Sequence, residues 1–413
     1  MRIAVVGGGA AGLVAAYLLD GPHEVVVFEK EAMLGGHIRT LGRNVPAPEG
    51  LPDGAQLDAG VIELSPEFFP MVHRLFEDLE VELGELPGRT TFFRPGKPRL
   101  YPLDTALAAE LGPGSRLANF GRMLPLLRQR GRFTGRHGDL APEELRERSL
   151  GDLLESGPFG DWVALLTMYA YSIPYPQALE VPAALAVPML RDFLHAERWT
   201  SVVGGTYRYV EALLERFGGV VHTGAPVVSL RRSETGVVLA TPDRGEQAFD
   251  ACVFAAPPDQ LLAVLEDPTD DERRRFGAWR ANHARTVVHD DRGPYERRGE
   301  RYACEFDLFL LEDGRGAYNA LLDRLEGLPT DDEQQFGLAF GLEDELDPAR
   351  ILHVQEHHTP AYTVDALRWR DEVLETNGQG RIWHVGAWLG DGLHEGAIRS
   401  ANAVSEALGG RTL

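Results

Sequence analysis

The stretch that decides the fold is Arg2-Ile-Ala-Val-Val-Gly-Gly-Gly-Ala-Ala-Gly12, in which an apolar run leads directly into a glycine-rich turn. The apolar run predicts a buried strand, and residues 10–19 predict a short helix after the turn. A second apolar run at residues 24–28 predicts the neighbouring strand, and Glu29 follows it. This order of strand, glycine turn, helix, strand and acid is typical of a dinucleotide-binding unit.

Each glycine of the turn has a separate expected role. Gly7 permits the tight turn, Gly9 lets a pyrophosphate approach the backbone, and Gly12 lets the helix pack on the strand. The N–H groups at the helix start would hold the phosphates, and Glu29 would accept hydrogen bonds from the ribose hydroxyls. The alternative is a glycine-rich turn in an unrelated α/β protein, and the turn alone does not separate NAD from FAD.

Residues 29–40 resemble the second FAD signature of the flavin amine oxidase superfamily, in which a paired glycine follows the ribose acid. Further patches that resemble this superfamily are residues 58–60, 203–213, 225–230, 250–257 and 382–400. The resemblance implies an FAD cofactor. Neither Cys252 nor Cys304 lies near a flavin attachment motif, so we expect the FAD to be noncovalent.

The resemblance also implies which residues contact the cofactor. They are Gly7, Gly9, Ala10, Ala11, Gly12, Glu29, Lys30, Gly35, Gly36, His37, Gly60, Val61, Ile62, Val227, Gly386, Ala387, Gly396 and Ala397. In the last of these patches, residues 382–400, here called the closing motif, a helix that begins at about Gly396 would direct its N-terminus at the flavin pyrimidine ring. The positive end of a helix there stabilises the negative charge of reduced flavin.

The candidate catalytic residues are His394 and Glu395, which stand immediately before that helix N-terminus. His394 would handle a proton beside the flavin, or it would make a structural hydrogen bond. A zinc site of the H-E-x-x-H type is excluded because Ile398 occupies the second histidine position. The pair His357-His358 is more typical of a polar strand end than of a metal site. We therefore predict no metal.

The predicted fold class is α/β, with a Rossmann-type FAD-binding domain of the amine oxidase kind interleaved with a substrate domain of antiparallel sheet and helical cap. The FAD-binding domain is assigned residues 1–78, 201–268 and 372–413. The substrate domain takes residues 79–200 and 269–371. A cavity is expected at the boundary between the two.

Within the substrate domain, residues 79–200 are predicted to be mainly helical. Residues 162–190 are apolar but interrupted by four prolines, which predicts short helices that line an apolar pocket or form plain core. The expected strands of the antiparallel sheet are residues 286–289, 302–311, 335–342 and 351–357.

Composition limits the class of partner and the compartment. The 413 residues carry 41 basic and 63 acidic side chains, and the net charge of -22 argues against nucleic acid. Two cysteines and no segment before the first strand that resembles a signal peptide favour the cytoplasm. No apolar run reaches the ~18 residues of a spanning helix. The sequence does not indicate the oligomeric state.

Residues 116–137 reverse the local charge, because they contain six arginines and no acid. Leucine and phenylalanine recur there at helical spacing, which predicts an amphipathic helix. Such a helix would dock on lipid headgroups at the inner face of the membrane or on an acidic carrier protein. The alternative is a helix packed on its own domain with solvated arginines.

Within the superfamily, the chain resembles bacterial predicted NAD/FAD-binding proteins, members of which often accompany cyclopropane-fatty-acid-synthase-like methyltransferases. The matching stretches are residues 282–290, 318–329, 358–360 and 386–395. The resemblance implies an oxidoreductase that moves a hydride between an apolar, fatty acyl substrate and flavin N5, with desaturation preferred. The alternatives are a fatty acid double-bond isomerase, a non-catalytic flavin-binding protein and an amine oxidase.

Amine oxidases of the superfamily commonly place a lysine from the substrate sheet near flavin N5, where it helps oxygen to react. This chain has only two lysines, Lys30 and Lys97, and none between residues 270 and 370. We therefore expect slow reaction with oxygen, and a quinone or a carrier protein as the electron acceptor.

Overall fold

The computed structural model describes residues 1–86, 88–102, 112–137, 140–196, 198–300, 304–328 and 335–413. Within these residues the chain has an α/β fold built on two main sheets. One sheet is wholly parallel and the other is mixed. The predicted fold class is confirmed.

The first sheet is parallel and buried on both faces. In spatial order, its described strands are Ile382–His384, Ala251–Phe254, Arg2–Val6, Glu24–Phe28 and Val220–His222. On one face, Ile3 and Val5 pack against the helices Ala10–Leu19 and His394–Leu408. Because both faces are covered, the strands are continuous apolar runs without polar alternation. All five strands lie in the segments that we assigned to FAD binding.

The second sheet lies in the segments assigned to the substrate domain. In spatial order, its described strands are Ile351–Pro360, Ala281–His289, Gly337–Phe340, Gly316–Leu321, Phe306–Leu310, Thr90–Arg94 and Lys97–Leu100. Neighbours are antiparallel except that Phe306–Leu310 pairs in parallel with Thr90–Arg94. The four expected strands thus lie in an antiparallel arrangement, and the one parallel pairing is made with Thr90–Arg94, a strand that was not predicted.

The prediction that residues 79–200 are mainly helical was wrong at its two ends. Strands form at Leu83–Leu86, Thr90–Arg94, Lys97–Leu100 and Trp199–Val202. These strands are short, and Thr90–Arg94 pairs with a strand more than 200 residues later in the chain. A pairing over that distance leaves no local pattern in the sequence.

Strand limits in the second sheet also differ from the expectation. The predicted strands 302–311 and 335–342 are shorter, at Phe306–Leu310 and Gly337–Phe340, and residues 302–303 lie outside the described residues. The strand Gly316–Leu321 was not predicted. In the patch of residues 225–230, a strand begins only at Ser229.

The remaining described elements connect and cover the two sheets. The smaller sheets consist of Ser229–Arg232, Val237–Thr241 and Gly245–Phe249; of Thr40–Leu41 with Leu57–Asp58; and of Leu83–Leu86 with Trp199–Val202. The longer helices besides the two above are Pro70–Asp78, Pro113–His137, Pro158–Tyr171, Ala183–His195 and Tyr207–Arg216. The shorter helices are Pro142–Arg146, Tyr175–Ala178, Leu261–Val264, Asp270–Phe276, Gly293–Glu296, Leu322–Leu325, Val364–Leu367 and Arg370–Glu375. Among the described helices, none combines the length and apolar character needed to cross a bilayer.

Candidate functional site

The glycine turn between the first strand and the first helix has the geometry of a close-packed cradle. Gly7 has a φ of 109°, a conformation that favours glycine. A Cβ atom on Gly12 would lie 2.0 Å from the Gly7 carbonyl oxygen, so only glycine fits there. A Cβ atom on Gly9 would lie 3.7 Å from its nearest neighbour, which leaves the turn open on that side.

The helix that follows the turn offers unused backbone donors. No side chain caps the start of Ala10–Leu19, and its first turn contains no acid. The N–H groups of Ala10 and Ala11 have no hydrogen-bond partner among the described residues. Open N–H groups and the positive end of a helix fit a pyrophosphate group. The residues present therefore fit FAD at this position.

Glu29 ends the second strand with its carboxylate held by backbone donors. The Gly8 N–H donates to one carboxylate oxygen at 2.6 Å, and the Glu31 N–H donates to the other at 2.8 Å. The Ala225 N–H donates to the Glu29 carbonyl, which places the segment containing Val227 beside it. These contacts fix Glu29 at the mouth of the glycine turn. Lys30 points outward and is exposed.

The paired glycine, Gly35-Gly36, packs against this turn. Gly60, which ends the D-x-G segment of residues 58–60, packs against His37. The Gly35 N–H donates to the Gly8 carbonyl at 2.8 Å, and the space beside Gly36 is closed by Gly9. A Cβ atom on Gly60 would lie 2.0 Å from the His37 carbonyl oxygen. Segments 23 to 27 residues apart in sequence thus meet at glycine contacts.

His37 faces the second sheet. Its Nε2 lies 2.8 Å from the His358 carbonyl oxygen, so this nitrogen is the one that carries the proton. Burial lowers the pKa of His37, which keeps the ring neutral. In the same region Val61 is half-buried and Ile62 is fully buried, so only Val61 has surface free for a ligand.

Asp58 is a connecting residue that sequence reasoning missed. Its carboxylate accepts hydrogen bonds from the Thr206 N–H at 2.8 Å, from the Thr206 hydroxyl at 2.7 Å, and from the Thr40 hydroxyl. Burial raises the pKa of Asp58 to about 6. Both residues lie in patches that the sequence indicates, residues 58–60 and 203–213, but no local pattern shows that the two patches meet across 148 positions.

The closing motif requires a correction. Its helix begins at His394 rather than at Gly396. The Gly396 N–H donates to Asp391 at 2.9 Å and the Ala397 N–H donates to the Leu393 carbonyl, so neither is free to reach the flavin. The N–H groups of His394 and Glu395 have no partner among the described residues. These two N–H groups, two residues before Gly396 and Ala397, are open at the start of the helix.

Upstream in the same motif, Gly386 has a φ of 152° and its N–H donates to the Ser400 hydroxyl at 2.9 Å. The carbonyl of the half-buried Ala387 accepts from the N–H groups of Gly390 and Gly392. These contacts tie the loop before the helix to the helix itself.

The two candidate catalytic side chains have different surroundings. The His394 Nε2 shares a hydrogen bond of 2.8 Å with the Tyr209 hydroxyl, and burial lowers the pKa of His394 to about 4. The ring is therefore neutral near pH 7. Both Glu395 oxygens accept from the N–H groups of Met71 and Val72, at the start of the helix Pro70–Asp78. This contact gives Glu395 a structural role, and we do not propose it as a catalytic residue.

A second acid, which is half-buried, was also missed by the sequence analysis. Glu63 follows the D-x-G segment, and one of its carboxylate oxygens accepts a hydrogen bond of 2.8 Å from the Tyr169 hydroxyl. The Tyr169 ring packs against Phe306 and Tyr318 of the second sheet. No cation approaches the Glu63 carboxylate among the described residues, and burial raises its pKa to about 8. Glu63 is therefore mainly protonated near pH 7.

His357 and His358 have separate partners, both at the edge of the second sheet. The His357 Nε2 lies 2.9 Å from the Thr286 hydroxyl and 3.2 Å from the Ala59 carbonyl. The His358 Nε2 lies 2.9 Å from the Asp259 carboxylate. These contacts join the second sheet to segments of the FAD-binding part of the chain.

A cavity of about 190 Å³ lies between the helix Ala183–His195 and the closing loop. Its described lining residues are Phe68, Phe69, Ala184, Leu185, Pro188, Met189, Asp192, Phe193, Arg370, Gly390, Asp391 and Leu393. Most of these side chains are apolar, and four of them come from the segment that was expected to line a pocket. The Arg370 guanidinium donates to the Gly390 carbonyl at 2.8 Å and forms no ion pair with a described acid.

Comparisons with known proteins agree with this geometry. Residues 10–289 match the model of the family of flavin-containing amine oxidoreductases. A segment of 66 residues is 42% identical to an uncharacterized protein of Methanocaldococcus jannaschii, covering 16% of this chain and 14% of that protein.

Several solved structures share the fold over nearly the whole chain. Cyclohexylamine oxidase from Brevibacterium oxydans has a TM-score of 0.72 at 16% identity, covering 99% of both chains. A triple mutant of putrescine oxidase has a TM-score of 0.70 at 17% identity, covering 98% of both. A fatty acid isomerase from P. acnes that produces CLA has a TM-score of 0.68 at 16% identity, covering 98% of both.

Proposed function

Since the chain belongs to the family of flavin-containing amine oxidoreductases and is an FAD-dependent oxidoreductase, we propose that it desaturates an apolar substrate of the fatty acyl class. The observation that carries this proposal is the apolar cavity beside the closing motif. Leu185, Met189 and Leu393 give it walls that suit a hydrocarbon chain. Arg370 gives an acidic end group a partner, because guanidinium binds carboxylate well.

Different residues of the chain have different roles in such a reaction. The glycine turn and Glu29 hold the cofactor, and the open N–H groups of His394 and Glu395 support charge on the flavin. When it is bound, FAD supplies the capacity to accept a hydride. The aliphatic and aromatic walls of the cavity exclude water and orient the chain of the substrate.

An amine substrate has less support from the structure. Of the tryptophans in the closing region, Trp388 is buried against Trp279 and Phe276, and Trp383 packs against Gly378. Neither is placed in the cavity lining. The aromatic residues of the described lining are Phe68, Phe69 and Phe193, which lie beside aliphatic side chains.

The test is anaerobic mixing of the FAD-loaded enzyme with free fatty acids and with acyl esters. Bleaching of the flavin together with formation of a new double bond supports desaturation. Product without net bleaching supports double-bond isomerisation, a second candidate because the fatty acid isomerase from P. acnes shares the fold. Bleaching by putrescine or cyclohexylamine, and not by any fatty acid, would contradict both.

A cavity variant connects the reaction with this site. Leu185→Trp fills the space, and we expect it to raise KM for long acyl chains while the flavin spectrum stays unchanged. Leu185→Met keeps a similar volume and is the matched control. Equal KM values for the two variants and the wild type would show that the substrate binds elsewhere.

A further inference from the structure

The helix Pro113–His137, here called the arginine helix, has two apolar stripes on different faces. The inward stripe contains Asn119 and Leu126, which are buried, and Phe133, which contacts Phe159 of the neighbouring helix. The Gln129 side chain adds a hydrogen bond from the Phe159 N–H. This stripe accounts for how the helix is attached to the protein.

The second stripe faces solvent. Leu117 is 74% exposed, Phe120 52%, Leu124 37% and Leu127 39%. At 3.6 residues per turn these four side chains fall within an arc of about 80°, separate from the inward stripe. Single exposed apolar residues are ordinary, but four on one helix face form a patch that marks an interaction surface.

Charge on the arginine helix is opposite to that of the whole chain. Its six arginines are Arg116, Arg122, Arg128, Arg130, Arg132 and Arg136, and residues 112–137 contain no acid, although the chain has a net charge of -22. Arg132 and Arg136 approach Glu155. The guanidinium groups of the other four form no hydrogen bond or ion pair with any described residue.

Two of the four unpaired arginines, Arg116 and Arg128, lie next to the exposed apolar stripe. On the helical wheel, Arg116 lies on one side of the stripe formed by Leu117, Phe120, Leu124 and Leu127, and Arg128 lies on the other. An apolar face between basic residues fits the boundary between lipid headgroups and acyl chains, because it contacts both hydrocarbon and phosphate. A purely acidic protein surface would satisfy the arginines and leave the stripe exposed.

We propose that the arginine helix docks on an anionic phospholipid bilayer. The exposed stripe lies at the headgroup boundary, parallel to the surface, and the arginines contact lipid phosphates. The helix packs on Pro158–Tyr171, and Tyr169 of that helix reaches Glu63 inside the protein. The docking surface is thus one helix away from the interior of the protein.

Flotation of the full-length, FAD-loaded protein with vesicles tests this proposal. Vesicles of equal parts phosphatidylserine and phosphatidylcholine are expected to carry the wild type upward, and pure phosphatidylcholine vesicles are not. Binding is expected to weaken at high salt, because salt screens the attraction between arginine and phosphate.

Two sets of variants separate the contribution of the arginines from that of the exposed apolar stripe. Changing Arg116, Arg128 and Arg130 to Glu, or Leu117, Phe120 and Leu124 to Ser, is expected to lower the vesicle-bound fraction more than tenfold. The control changes three exposed arginines elsewhere, Arg244, Arg273 and Arg280, to Glu and is expected to bind as the wild type does. Circular dichroism and flavin absorbance verify that each variant is folded.

Three results would overturn the proposal. They are no binding of the wild type to anionic vesicles, equal loss of binding in the control, and unchanged binding in both helix variants. Self-association that the Leu117, Phe120 and Leu124 changes abolish, without vesicle binding, would show that a second copy covers the face instead. Because flotation does not depend on turnover, its failure is distinguishable from failure of the proposed reaction.

Discussion

At the scale of single residues, Glu63 is a group whose protonation differs from its ordinary state. Burial raises its pKa from 4.5 to about 8, so between these values the folded protein holds a proton that the unfolded chain releases. The folded state then binds more protons than the unfolded state. Its stability therefore falls as pH rises through this window.

Glu63→Gln tests this linkage. The variant removes the titration and keeps the shape, so its Tm relative to the wild type is expected to rise steadily from pH 5 to pH 8. Glu67→Gln is the control, because Ser65 donates to the Glu67 carboxylate and lowers its pKa, below this range. Thermal unfolding at fixed FAD concentration gives the comparison, and a constant difference across pH would contradict the assignment.

His394 offers a second test at this scale. Its pKa of about 4 means that its own titration adds no inflection to turnover near pH 6.5. His394→Ala is expected to leave the visible flavin spectrum nearly intact and to slow substrate-dependent flavin reduction about tenfold, equivalent to one hydrogen bond of about 1.4 kcal/mol.

Tyr209→Phe is the matched variant, because it removes the same hydrogen bond and keeps the imidazole. If both variants slow flavin reduction equally, His394 acts by positioning the closing motif. If only His394→Ala does so, the imidazole itself contacts flavin or substrate. Unchanged reduction rates in both would assign the pair a purely structural role.

At the scale of the element, two glycines of the same turn affect different properties. Gly12 affects the stability of the fold, and Gly9 affects the binding of the cofactor. A side chain at Gly12 collides with the Gly7 carbonyl, whereas a Cβ atom at Gly9 meets its nearest protein atom only at 3.7 Å. Gly12→Ala is expected to lower the free energy of unfolding by at least about 1–3 kcal/mol, the usual cost of overpacking. Gly9→Val is expected to fold and to lose FAD.

Denaturant unfolding and the ratio of flavin to protein absorbance measure the two effects. Glu29→Gln serves as an intermediate case, since it keeps the size of the side chain and removes its charge. A Gly9→Val protein with a full complement of FAD would contradict the assignment of the open side of the turn to the pyrophosphate.

The same element shows how far the sequence predicts this molecule. The strand Arg2–Val6, the helix Ala10–Leu19 and the strand Glu24–Phe28 form at the predicted residues, because periodicity and turn chemistry are local. The parallel pairing of Thr90–Arg94 and the hydrogen bonds from Thr206 to Asp58 were not predicted. Each joins residues more than 140 positions apart, and such contacts form only after the chain has folded.

The closing motif shows a different limit. The resemblance placed the start of the helix at about Gly396, two residues after its observed start at His394. The Asp391 carboxylate takes the Gly396 N–H that the motif had suggested for the flavin. The hydrogen bond from the Gly396 N–H to Asp391 is seen only in the three-dimensional structure.

At the scale of the whole molecule, the second sheet meets segments of the FAD-binding part of the chain through histidine and threonine side chains. His357 and Thr286 of the second sheet approach Ala59, and His358 pairs with Asp259. The family's lysine on the substrate sheet has no counterpart between residues 270 and 370. Lys97 lies on the strand Lys97–Leu100 at the edge of the second sheet and is exposed.

Oxygen therefore lacks the charged group that would assist its reduction, and we expect reduced enzyme to reoxidise slowly in air and quickly with a quinone. Stopped-flow mixing of the photoreduced, FAD-loaded enzyme with dissolved oxygen, and separately with benzoquinone, measures both rates without any need to know the substrate. Free reduced flavin under the same conditions is the control for uncatalysed reaction. Reoxidation by oxygen that is faster than reoxidation by the quinone would show that another group replaces the lysine, and would assign the protein to the oxidases.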